Sequence, residues 1–130
     1  MKYFVFELGT DILIVNKENQ VLIQFKSKDF SFVEDKPIHQ LHEIFNQIRI
    51  NPNLSQNTAI SLLCCFDDHP EKIGQLAEAS SGIFDVELER NLTLLTIRHY
   101  NAETIDKLTK NKKVLLEQKT TETVQMLMRE

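Results

Sequence analysis

The feature that most constrains this chain is an order of elements that starts twice and finishes once. Between Val21 and Glu89 the hydrophobic pattern reads strand, helix, strand, strand, helix, strand. Val21–Lys26 is dense in apolar and β-prone residues and reads as a strand. Asp35 and Pro37 signal a helix start, and Ile38, Leu41, Phe45 and Ile48 then recur on one helical face until Asn51-Pro52. Leu54–Thr58 and Ala59–Phe66 read as two strands joined by a turn around Gln56-Asn57. Asp68 is positioned to cap a second helix carrying Ile73, Leu76 and Ala77, which Ser80-Ser81-Gly82 stops. Phe84, Val86 and Leu88 alternate with Asp85, Glu87 and Glu89, the pattern of a half-buried strand.

A second round begins at Leu92–Ile97, a strand. Asn101 caps a helix with Ile105 and Leu108, and Val114–Gln118 and Thr123–Met128 follow as strands. There the chain ends, one helix and one strand short. The two rounds share Leu-x-Gln-x-Thr at the same place, Leu54 to Thr58 and Leu116 to Thr120. A three-stranded remainder would keep an unpaired edge. Tyr3–Leu8 and Asp11–Asn16, two β-like runs around Gly9-Thr10 followed by a polar turn at Lys17–Gln20, are available to complete it. The expected organisation is a first module over 21–90, and a second module over 91–130 completed by one or more strands from 1–20.

Composition narrows the class of function. With 42% hydrophobic and 26% charged residues, three Gly and three Pro, the chain has the balance of a globular domain. A net charge of −4 without a basic run argues against nucleic acid as partner. The apolar start, Met1–Val15, contains Glu7 and Asp11, which break a signal-peptide core, and it is shorter than the roughly 20 residues of a membrane span. Cys64 and Cys65 are adjacent, so a strand would point them to opposite faces. They form neither a disulfide framework nor a metal knuckle and read as buried thiols of a cytoplasmic protein. His39, His42 and Glu43 share a helix face but lack the further ligands a metal site needs, so no metal or other cofactor is expected. Glu87, Glu89 and Arg90 read as a charged strand edge. No nucleophile–base pair or convergent carboxylate pair is visible, and too few glycines are present to cradle phosphates.

The order βαββαβ is ferredoxin-like, an α+β arrangement of antiparallel sheet with helices on one face, and it hosts many functions. Particular segments narrow the choice. Lys26-Ser27-Lys28-Asp29-Phe30-Ser31-Phe32, Asn53 to Ser61, Leu94 to Tyr100, Leu115 to Thr120 and Thr123 to Gln125 resemble, in order, the C-terminal regulatory region of aspartate kinases, particularly Bacteroidetes-type members. That region is a tandem of ACT domains, one inserted into the other, and the resemblance covers about residues 20–130. It implies a non-catalytic module that senses an amino acid, lysine or threonine, between the first-strand loop of one module and the neighbouring strand pair of a partner. It also implies a homodimer, and a catalytic kinase domain in cis or in trans, since the phosphotransferase segment has no counterpart here. His99 and Tyr100 belong to a recurring motif of that non-catalytic region and read as structural.

Carried onto this sequence, the effector-binding residues are Ser27, Lys28, Asp29, Phe30, Ser31, Asn53, Gln56, Asn57 and Thr58. A helix start near Asp35–Pro37 suits an α-carboxylate, Asp29 an ammonium, and the Asn, Gln and Thr side chains the remainder of a zwitterion. Each also has a purely structural reading. Asp29 can cap its own loop, Asn57 can serve a tight turn, and Phe30 can be core. Where Ala59 stands, some members of the family carry an acidic residue. The alternative is therefore a ligand-free dimerisation or docking module. Deleting residues 1–16 is expected to lower the melting temperature strongly, read by circular dichroism; an unchanged melt would show that the N-terminal runs complete no sheet.

Overall fold

A computed structural model describes residues 3–8, 12–29 and 35–129. The elements are β1 (Tyr3–Leu8), β2 (Ile12–Lys26), α1 (Asp35–Ile48), β3 (Leu54–Asn57), β4 (Ser61–Asp67), α2 (Pro70–Ser80), β5 (Asp85–Arg98), α3 (Ala102–Thr109), β6 (Lys113–Lys119) and β7 (Thr123–Arg129). Two compact units share them. One is contiguous, Val21–Arg90; the other is discontinuous, Met1–Gln20 with Asn91–Glu130.

The contiguous unit has the order βαββαβ and the strand order β3-β4-β2-β5. Odd residues of β2 (Val21, Ile23, Phe25) and even residues of β4 (Leu62, Cys64, Phe66) supply the sheet side of its core, as period-2 alternation requires. Leu41 and Phe45 of α1, with Ile73 and Leu76 of α2, close over them. Phe45 lies at the aromatic centre, 5.5 Å from Phe66, 6.1 Å from Phe25 and 5.4 Å from His42 between ring centroids. β3 pairs only with β4 in this order and so forms a sheet edge, with Ser55, Gln56 and Asn57 exposed.

In the discontinuous unit β1 pairs antiparallel with β2, from Tyr3 opposite Lys17 to Leu8 opposite Ile12. β5 pairs with β7 from Thr93 opposite Met128 to Arg98 opposite Thr123, and β7 pairs with β6 through a bulge between Val114 and Leu116. Ile14, Leu95, Ile97, Val124, Met126 and Met128 form its core, against which Ile105 and Leu108 of α3 pack. Asn101 caps α3 as expected, its side chain accepting hydrogen bonds from the Thr104 amide at 2.8 Å and the Thr104 hydroxyl at 2.9 Å.

Several local expectations are overturned. Lys17–Gln20 is not a turn but the middle of β2, and the two strands expected around Phe84–Glu89 and Leu92–Ile97 are one continuous strand, β5. Asn19 (φ 55°) and Asn91 (φ 61°) adopt the left-handed region inside these strands, where asparagine is among the least costly non-glycine residues. The hairpin turn falls on Thr58–Ser61, closed by the Thr58 amide donating to the Ser61 carbonyl at 2.8 Å, and Gln56 and Asn57 are strand residues. Asp68 does not cap α2. His69 holds that position without a side-chain hydrogen bond, and Asp68 pairs with Arg90 at 3.1 Å. Leu88 is 41% exposed rather than half-buried.

Both cysteines are fully buried. Cys64 Sγ lies 3.6 Å from Ser55 Oγ, and burial pushes its thiol up to about 11 against the opposing effect of that hydrogen bond. The unfolded thiol loses its proton near pH 9 and the folded one does not, so folding stability falls as pH rises from 9 towards 11. Denaturant titrations at pH 8 and 10.5 are expected to show this loss, and Cys64→Ala to lack about 2 kcal/mol of it. Phe45→Ala is expected to destabilise by about 3–5 kcal/mol in urea, because the surrounding rings cannot collapse onto the space.

Candidate functional site

The site is built from the end of β2 and the β3–β4 turn, both in the contiguous unit. Where β2 stops, the Ser27 amide donates to the Ile60 carbonyl at 2.8 Å. One backbone bond thus holds the start of the loop against the turn. The Ser27 hydroxyl donates to Asp29 Oδ1 at 2.9 Å, which folds the Asp29 carboxylate back over the strand end. Ser27 is buried at the margin, while Lys28 and Asp29 are exposed in the turn that follows.

Across this junction Thr58 and Ser61 close the hairpin twice, by the backbone bond and by their hydroxyls, 2.6 Å apart. Gln56, Asn57, Thr58 and Ala59 are exposed. Ser27, Lys28 and Asp29 are therefore gathered with Thr58 around one strand-end junction. Phe30 and Ser31 lie outside the described residues.

Asn53 stands apart. It precedes β3, and its amide donates to Asp67 Oδ1 at 2.8 Å at the far end of β4. Four residues of strand, roughly 13 Å, separate it from Asn57. Within one chain the candidate set is thus divided between the two ends of the β3–β4 hairpin. Two participants were not read from the sequence: the Ile60 carbonyl and the Ser61 hydroxyl. The repeat of Leu54–Thr58 in Leu116–Thr120 was their only sequence signal, since it marks the residues leading into an equivalent turn.

The junction joins backbone acceptors, an exposed carboxylate and exposed hydrogen-bonding side chains at the end of one strand pair. Among the described residues no group of three or more His, Cys, Asp or Glu is arranged to hold a metal ion; His39 instead meets Glu43 at 3.1 Å on the exposed face of α1. No helix among them is long and apolar enough to cross a membrane.

No protein-family model matches the chain, and no curated protein sequence is significantly similar to it. Solved structures do match in fold. A chain described as a C-terminal regulatory domain of aspartate kinase from Porphyromonas gingivalis W83 superposes with a TM-score of 0.75 at 18% identity, over 89% of this chain and 84% of that one. Aspartate kinase from Clostridium acetobutylicum gives a TM-score of 0.75 at 14% identity, over 95% of this chain but 32% of the kinase. E. coli aspartokinase III, solved in complex with lysine and aspartate, gives 0.70 at 13% identity, over 88% of this chain and 28% of that one. This chain thus spans about a third of the length of such kinases.

Substituting Thr58 tests the junction directly. Thr58→Val removes the hydroxyl pair with Ser61 and is expected to cost about 1 kcal/mol in urea while leaving the fold intact. The sequence, its interleaved βαββ order and these superpositions converge on one architecture: the chain has the ferredoxin-like tandem ACT fold of aspartate kinase C-terminal regulatory domains.

Proposed function

We propose that this chain is an amino-acid-sensing regulatory domain, whose effector is of the lysine or threonine class and which carries no catalysis of its own. In this reading each compact unit is one ACT module, with residues 21–90 inserted into the other. The Ser27–Asp29 loop and the Thr58–Ser61 turn hold the effector, with Asp29 meeting its ammonium group. The observation that carries the reading is the Ser27 amide to Ile60 carbonyl bond, because it places the loop and the turn beside one another in a fold shared with a kinase crystallised with lysine.

The exposed edge of β3 supports pairing with a second copy of the chain. Such a homodimer would bring the Asn53 end of a partner's hairpin towards the junction and complete the effector set. Regulation then requires that the effector bind two conformations of the assembly with different affinity. The kinase domain that responds would be joined in cis or associate in trans, in the cytoplasm.

A second reading, a ligand-free dimerisation or docking module, is favoured by two contacts. The Thr58 hydroxyl is engaged by Ser61, and the Asn53 amide by Asp67, so neither depends on a ligand for its hydrogen bond.

A thermal-shift panel of the twenty amino acids at millimolar concentration separates the two. One amino acid, lysine or threonine, is expected to raise the melting temperature selectively; at 100-fold its dissociation constant it adds about 2.7 kcal/mol. Asp29→Ala should weaken that binding about ten-fold or more, because hydrogen bonds to charged groups contribute about 1.5–3 kcal/mol. A stable dimer indifferent to every amino acid would establish the docking module instead.

A further inference from the structure

Two large hydrophobic side chains are exposed among the described residues, Leu88 at 41% and Val114 at 38%. Both lie on strand edges, and the charges beside them are opposite in sign. Leu88 stands between Glu87 and Glu89 in β5, in a stretch that opens with Asp85. β5 pairs with β7 over residues 93–98, so the β7 ladder leaves the edge of residues 85–90 uncovered. Arg90, the cation of this stretch, meets Asp68 at 3.1 Å, so its charge is already matched. Glu87, Leu88 and Glu89 form, with Leu22 and Gln24 of β2, a hollow of about 140 Å³ in the contiguous unit.

Val114 follows Lys112 and Lys113 where β6 begins. β6 ends the strand order and pairs with β7, which leaves its other edge open. Lys113 lies directly opposite Arg129 in that ladder. Like charges facing one another across two strands repel, and a further carboxylate brought over the pair offsets the repulsion. Lys112, Lys113, Val114 and Arg129 are all exposed and form a basic corner of the discontinuous unit. Two nearby lysines are otherwise engaged: Lys107 meets Glu103 at 3.4 Å, and Lys119 lies 5.2 Å from the Tyr100 ring centroid.

Charged side chains on a sheet edge keep like edges apart. Here that repulsion opposes β5 against β5 and β6 against β6, and it favours β5 against β6. The third open edge, β3, consists of Leu54, Ser55, Gln56 and Asn57 and carries no charge, so it makes no such distinction. A bulge between Val114 and Leu116 interrupts the β6 ladder, which suits a contact of side chains better than a continued sheet. Val114 then covers Leu88 at the hollow, and the cations meet Glu87 and Glu89.

We propose that copies of this chain associate head to tail, the acidic edge at residues 85–89 of one copy taking the basic corner of Lys112, Lys113, Val114 and Arg129 of a second. The contact is heterologous, because its two surfaces differ. It is separate from pairing through β3 and holds whether or not the chain takes an amino acid.

The test is sedimentation velocity on the full-length chain and on two charge-reversed variants, Glu87→Lys/Glu89→Lys and Lys112→Glu/Lys113→Glu, each checked for folding by circular dichroism. In about 0.01 M salt the unaltered chain is expected to form larger particles as its concentration rises, and in about 1 M salt, where screening acts within roughly 3 Å, to lose that growth. Each variant alone should associate about ten-fold more weakly or less, since like charges then meet at the contact. An equimolar mixture of the two variants should recover the growth, because acid again meets base at every contact. If a reversal prevents folding, Glu87→Gln/Glu89→Gln and Lys112→Gln/Lys113→Gln should each show the loss. Growth that ignores salt and both reversals, or variants that stay apart when mixed, would overturn the proposal. So would a dimer that persists in every condition with nothing larger at low salt, which would leave β3 as the edge through which copies pair.

Discussion

Two long strands carry both cores of this protein. β2 supplies Ile14 to one core and Val21, Ile23 and Phe25 to the other; β5 supplies Leu95 and Ile97 to the first, and Val86 packs against the second. In each strand the residues that feed a core change from even to odd numbers or the reverse. In both strands an asparagine in the left-handed region lies between the two sets, Asn19 in β2 and Asn91 in β5. These positions coincide within one residue with the limits of the compact units at Gln20 and Asn91. A β-branched residue could adopt that backbone only with strain, whereas asparagine does so at small cost.

The candidate site depends on this frame without adding much to it. A single amide at the end of β2 reaches the turn after β3, and the hydroxyls of Thr58 and Ser61 tighten that turn. The arrangement places polar groups at the end of strands that supply an apolar core, with Ser27 and Ser61 buried and Lys28, Asp29 and Thr58 exposed. Buried Cys64 and Cys65 belong to the frame and not to the site, since burial holds the Cys64 thiol protonated and unreactive at neutral pH.

Repetition makes the site interpretable. The same backbone bonds recur at His99–Glu122 and Thr120–Thr123, so one junction serves as a reference for the other. With the backbone matched, the side chains account for the difference: a tyrosine clasped by a carbonyl and an ammonium in one, an exposed lysine in the other. Duplicated modules can diverge in this way because a buried core constrains the strands far more than it constrains the residue that follows them.

The sequence by itself determined the kinds of element and their order. Apolar spacings of two and of three to four residues are local properties, and they placed α1 at Asp35 and the Asn101 cap correctly. The repeated Leu-x-Gln-x-Thr pointed to two modules, and in each copy its threonine opens the turn that follows. Only the tertiary structure decided that Lys17–Gln20 continue as strand and that the runs on either side of Asn91 are one strand, because polar residues with turn character are read as breaks unless a neighbouring strand hydrogen-bonds to them. It decided equally that Asp68 meets Arg90 instead of capping α2, that Asn53 stands at the opposite end of its hairpin from Thr58, and that Tyr100 reaches Thr120. Each of these joins residues far apart in sequence, or depends on which end of a strand a side chain occupies, and local periodicity carries neither kind of information.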